Sequence, residues 1–125
     1  MQREHKYRGK RIDNGEWVYG HYLYDSENNK GFIAEYFEDK SAYFREVVPE
    51  TVGEYTGLKD KNGKEIYESD KIKAGQFMYV VRWNQKAAAW FCEPTIQEHK
   101  ITTTKPLFEI VESWEGVVIG NDYEE

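Results

Sequence analysis

The side chains in this chain suited to thiolate or zinc chemistry are one cysteine, Cys92, and three histidines, His5, His21 and His99. A cysteine acts as a nucleophile when a neighbouring base or positive charge supports its thiolate. Only a fold that carries His21 or His99 to Cys92 could supply that base, and the expected role of Cys92 is that of a buried apolar filler. None of the histidines stands at a zinc-ligand spacing from Cys92. His21, inside an apolar run, is expected to sit in a sheet and satisfy a backbone group. A single cysteine cannot form an internal disulfide, so a reducing compartment is the simple expectation.

Two loops carry ligand-rich residues. Residues 57–65, with glycines at Gly57 and Gly63, look like a phosphate-binding loop, but the glycine spacing is one residue too long. Glu65 also stands where a magnesium-binding hydroxyl belongs. With Asn62-Gly63 inside it, the stretch reads as a turn. Residues 25–31 place the oxygens of Asp25, Glu27 and Asn29 at alternate positions, as calcium loops do. There Lys30 replaces the turn glycine and Tyr36 the bidentate glutamate, so a solvated hairpin loop is expected. Among 23 acidic residues, the trio Glu65, Glu68 and Asp70 is no better placed than any other. No catalytic, cofactor-binding or metal-binding residue is assigned, no cofactor is expected, and the chain is expected not to be an enzyme.

Net charge is −6, which opposes binding to phosphate backbones. The segment bearing Arg3, His5, Lys6, Arg8, Lys10 and Arg11 is locally basic and reads as a solvated edge strand guarded by charge. The alternative is a small β-barrel nucleic-acid module, with Tyr7, Trp17 and Tyr19 stacking bases beside Arg3, Arg8 and Arg11.

Aromatic residues make up 16% of the chain against 32% charged ones, which describes an ordered core under a thickly polar surface. Short β-rich runs recur between turn residues. Residues 6–12 and 17–24 flank Asn14-Gly15, a hairpin signal. On the second run Trp17, Tyr19, His21 and Leu23 share one face, and Val18, Tyr22 and Tyr24 the other, so this strand is expected to be central. Runs 31–37 and 43–48 follow, and Pro49 ends the latter. A short strand is expected at 51–56. A second meander is expected from Ile66, through 77–83 and 87–92, with 93–105 as a long loop or irregular edge. Pro106, Leu107, Ile110, Val111 and Trp114 lie at helical spacing, with Thr104 as the expected cap. Residues 117–119 form the last strand, before an acidic tail. The opening residues hold no apolar signal-peptide core, and no run approaches a membrane span.

The stretch 48–68, the opening Tyr7-Arg8-Gly9-Lys10 with Gly15-Glu16-Trp17-Val18-Tyr19-Gly20, and the late Val118-Ile119-Gly120-Asn121 together resemble the YopX-like proteins of phages and prophages of Gram-positive bacteria. The resemblance spans essentially the whole chain. It differs at Ser69, where the family usually carries glycine, and in lacking an Asn-Pro extension after Tyr123. It implies a phage-derived protein of the bacterial cytoplasm and a mainly β fold whose second half looks like a small SH3-like barrel. It carries over no activity and no catalytic residue.

The expected architecture is one compact domain, 1–125. Within it a β-meander (1–52) joins a barrel-like half (66–125) through 53–65, with one short helix near 106–113. Tyr55, Leu58, Ile66 and Tyr67 are expected to be buried between the halves in a shared core. The expected function is non-catalytic binding of a host or phage protein through aromatic surface and strand edges. Nucleic acid is the less favoured partner, no membrane is expected, and assembly with further copies of the chain stays open.

Overall fold

The computed structural model describes residues 5–95 and 104–124. Arg3, His99, Glu125 and most of the 93–105 stretch therefore lie outside the described residues. The fold is mainly β with one short helix, and the chain divides into two compact units, Met1–Tyr55 and Thr56–Glu125. The boundary falls inside the 53–65 segment.

The first unit is an antiparallel meander: β1 (Tyr7–Lys10), β2 (Trp17–Asp25), β3 (Lys30–Tyr36) and β4 (Ala42–Val47). After a 3-10 turn at Pro49–Thr51, β5 (Gly53–Lys59) begins and pairs with β1 through Gly53 and Glu54. The strand expected from residue 51 thus starts at Gly53, because residues 49–51 are used in the turn. There Thr51 Oγ1 accepts a hydrogen bond from Lys10 N at 2.9 Å and donates one to Val48 O. The expected run 6–12 also shortens to Tyr7–Lys10. Asn14-Gly15 does not form a two-residue turn. Only Gly15 takes a positive φ, +72°, and the loop closes through Arg11 N donating to Glu16 O.

This sheet curls. Beyond β1, Ile12 N donates to Glu46 O at 3.1 Å, and Val48 N donates to Lys10 O at 2.9 Å. Arg11 and Val47 form a bridge between these bonds. The concave side holds Val18, Ile33 and Val47, with Tyr7, Tyr22 and Val52 packed against them. Gly20 allows this close approach, since a Cβ there would stand 2.0 Å from the Ala34 carbonyl oxygen.

In the second unit β5 turns back as β6 (Glu65–Tyr67). The turn is a three-residue hairpin loop with Gly63 at φ +81°, in which Asp60 N donates to Lys64 O and Gly63 N to Asp60 O. A five-stranded antiparallel sheet follows. It is built from β7 (Asp70–Ala74), β8 (Phe77–Asn84), β9 (Ala89–Pro94), β10 (Lys105–Pro106) and β11 (Val117–Asn121), in the order β10-β9-β8-β7-β11. The sheet is open among the described residues, and the expected barrel does not close.

Its apolar side carries Ile72, Ala74, Tyr79, Val81 and Cys92, and meets Ile66 together with Leu107 and Ile110 of α1 (Leu107–Glu112). The helix is six residues long and lies within the expected 106–113. Pro106 occupies the cap position, so Thr104 does not cap it, and Trp114 lies beyond the helix, half-exposed. Tyr55, Ile66 and Tyr67 are buried as expected, but Leu58 is 36% exposed. Gly57, at φ +89°, breaks the side-chain alternation just before it and turns Leu58 outward.

Candidate interaction face

Side-chain alternation and strand register together determine what the first unit shows to solvent. Across β2, β3 and β4 the aligned rows are Leu23–Phe32–Glu46 and His21–Ala34–Phe44, and Tyr36 pairs with Ala42 in the next row. Tyr19 extends the β2 side of the same face. Tyr36 is 62% exposed and Phe44 61%, and Tyr19 and Leu23 are about half-exposed. Ala34, by contrast, is fully buried beneath its larger neighbours. The imidazole of His21 stands edge-on to Tyr36, with ring centroids 5.3 Å apart. His21 thus sits in the sheet, as expected, and is an exposed member of an aromatic face. β2 is central in pairing order, yet this side of it stays open because the core of the curl occupies only the concave side.

The opposite side of the β4 edge carries a second aromatic group. Phe37 and Tyr43 meet edge-on at 5.4 Å, and the Arg45 guanidinium lies over the Tyr43 ring while bonding Glu35 at 3.1 Å. A cleft of about 260 Å³ lies alongside, lined by Arg11, Ile12, Asp13, Phe44, Arg45 and Glu46.

The residues of the nucleic-acid reading do not assemble into a basic, aromatic groove. Tyr7 packs against the core, and Arg8 is buried with its guanidinium over Trp17 at 4.9 Å. Arg11 is held by both carboxylate oxygens of Asp13, at 2.9 and 2.7 Å. That hydrogen bond keeps the Asp13 carboxyl below the usual carboxylate range. Tyr19 is the one exposed ring of the three.

The loops that looked like ligand sites direct their oxygens inward. Asp25 Oδ1 accepts from the backbones of Glu27 and Asn28, and Oδ2 from the Asn28 amide, which lowers its pKa. Asp60 is buried: Oδ1 accepts from Asn62 N and Lys64 N, both at 2.9 Å, and Oδ2 from Val118 N at 3.0 Å. Burial alone would raise its pKa, but the donors on Val118, Lys64 and Asn62 outweigh it, and the pKa is lowered. In the acidic trio, Glu65 accepts from the Tyr67 hydroxyl and buried Asp70 from Tyr67 N. No group of metal-ligating side chains forms among the described residues. Cys92 is fully buried, and desolvation pushes its thiol up to about 12, far from any thiolate role near neutral pH.

Sequence reasoning missed the partnership of Phe32, Tyr36 and Phe44 with the Tyr19–Leu23 face, although each strand's alternation contained it. It also missed Asp60, for which no residue spacing announces a contact 58 positions away.

No helix among the described residues is long and apolar enough to cross a membrane. No curated protein matches the chain. The YopX protein family model matches residues 6–125, and the chain belongs to that family.

Proposed function

We propose that this protein is a non-catalytic binding module of a prophage, acting in the bacterial cytoplasm on a host or phage protein. The observation that carries this reading is the exposed face of Tyr19, Leu23, Tyr36 and Phe44. Aromatic rings held rigid on a sheet supply large contact area at small entropic cost, as the anchors of protein interfaces do. The acidic net charge favours a protein over a nucleic acid. The test compares capture by the wild-type chain with capture by Leu23→Asp/Tyr36→Asp in lysogenic cells. Both side chains are exposed, so the variant should fold. A specific protein retained by the wild type and lost by the variant is expected. Equal retention by both, or recovery of nucleic acid alone, would overturn the reading.

A further inference from the structure

The sheet of the second unit has a core side, which carries Tyr79, Val81 and Cys92, and an outer side. Strand register places Asn84 opposite Ala89, Arg82 opposite Phe91 and Val80 opposite Glu93, so these residues share the outer side. A cleft of about 400 Å³ opens there, with Arg82, Asn84, Gln85, Phe91 and Glu93 in its lining, and that size suits a small-molecule ligand. Its polar groups differ in what they have left to offer. Asn84 Oδ1 accepts from Ala87 N at 2.9 Å, and Gln85 Oε1 accepts from Trp83 Nε1 at 2.8 Å. Both donors can only donate, so each amide oxygen is fixed and each NH2 group is the free end. Neither amide nitrogen bonds another protein group among the described residues. The Arg82 guanidinium is taken by Ser69 and Asp122, which compensates its charge. Glu93 is exposed and makes no ion pair or side-chain hydrogen bond among the described residues. The cleft therefore presents amide donors at one end, a carboxylate acceptor at the other, and the half-buried Phe91 ring between them.

We propose that this cleft binds a neutral saccharide of at least two sugar rings. A hydroxyl both donates and accepts, so one sugar satisfies the amide donors and the carboxylate together. An anion would meet the uncompensated charge of Glu93. An ammonium group only donates, and would leave both amides without an acceptor. The C–H face of a sugar ring has the apolar character to lie against Phe91, whose ring gives contact area without asking for a hydrogen bond. Length follows from the register. Glu93 stands beside Val80, four residues along β8 from Asn84, which puts the two ends of the cleft about 13 Å apart. One sugar ring does not reach both. The cleft belongs wholly to the second unit, and the inference stands whether or not the aromatic face of the first takes a protein.

Titration of the isotope-labelled chain with cellobiose, maltose and N,N′-diacetylchitobiose, followed by amide chemical shifts, tests it. At least one of the three should shift the amides of Asn84, Gln85, Phe91 and Glu93 saturably. Cellobionate, an anion of the same size as cellobiose, should bind about tenfold more weakly or worse, and Glu93→Gln should remove that discrimination. Asn84→Asp/Gln85→Glu keeps the oxygens that anchor both side chains and removes the amide donors. This variant should keep the wild-type circular dichroism spectrum and lose roughly tenfold or more in saccharide affinity. No saturable shift at this cleft with any of the three sugars would overturn the proposal. So would discrimination against cellobionate that survives Glu93→Gln, or a folded double variant that binds as well as the wild type. If the double variant does not fold, the Glu93→Gln comparison decides alone.

Discussion

In the second unit the apolar side of the sheet lies under α1, with Leu107 and Ile110 set against Ile72, Tyr79 and Val81. Among the described residues of the first unit the core is the small cluster inside the curl, and a set of aromatic rings is left outside it. The same residue types therefore meet two fates. The difference is a covering element: 107–112 supplies a helix to one sheet, and nothing comparable occurs in residues 5–55. Contiguous exposed rings are uncommon on the surfaces of monomeric proteins, whereas singly exposed ones are ordinary. Polar organisation divides the same way. The second unit relies on buried carboxylates, Asp60 and Asp70, while in the first Asp13, Asp25 and Asp39 organise exposed loops.

The contrast is broken most severely at the helix. Ile110→Ala should cost about 2–5 kcal/mol in chemical denaturation, because the cavity would open between two rigid elements. Leu23→Asp on the uncovered face should change stability by no more than about 0.5 kcal/mol. Similar costs at the two sites would mean that the open face is structural after all.

Asp60 comes next. Asp60→Asn should cost about 1–3 kcal/mol at neutral pH, since hydrogen bonds to a charged acceptor are replaced by weaker ones. Its carboxyl titrates lower in the folded than in the unfolded protein. Its contribution is therefore complete above the unfolded value and is lost as pH falls through the folded one. The gap between wild type and variant should narrow in acid, below about pH 4. A gap that widened there would contradict the assignment.

The smallest effects test Ser69. It stands at φ +73°, a conformation that costs an ordinary residue about 1–2 kcal/mol. Its hydroxyl accepts from Arg82 Nη1 at 3.0 Å, and Arg82 Nη2 continues to Asp122 at 2.6 Å. The hydrogen bond offsets part of the strain. Ser69→Gly removes both and should leave stability within about 1 kcal/mol of wild type. Ser69→Ala keeps the strain, loses the bond and should lie about 1 kcal/mol lower. If Ser69→Ala were the more stable of the two, the backbone at this position would not be strained.

Local chemistry in the sequence determined the strand runs, the stop at Pro49, the turn at Asn62-Gly63 and the apolar spacing of Leu107 and Ile110. These follow from properties of single residues and near neighbours: a missing N–H, an accessible positive φ, a repeat of two or of three to four. The family was legible too, because its turn residues recur in order along the chain. Tertiary structure alone decided which aromatic face would be covered, since β2 carries rings on both sides and its own alternation prefers neither. It also brought the Asp60 carboxylate to Val118 and joined Ile12 to Glu46. Each of these depends on which strand lies beside which. That is set by the summed packing of distant segments, and no single stretch of the chain contains it.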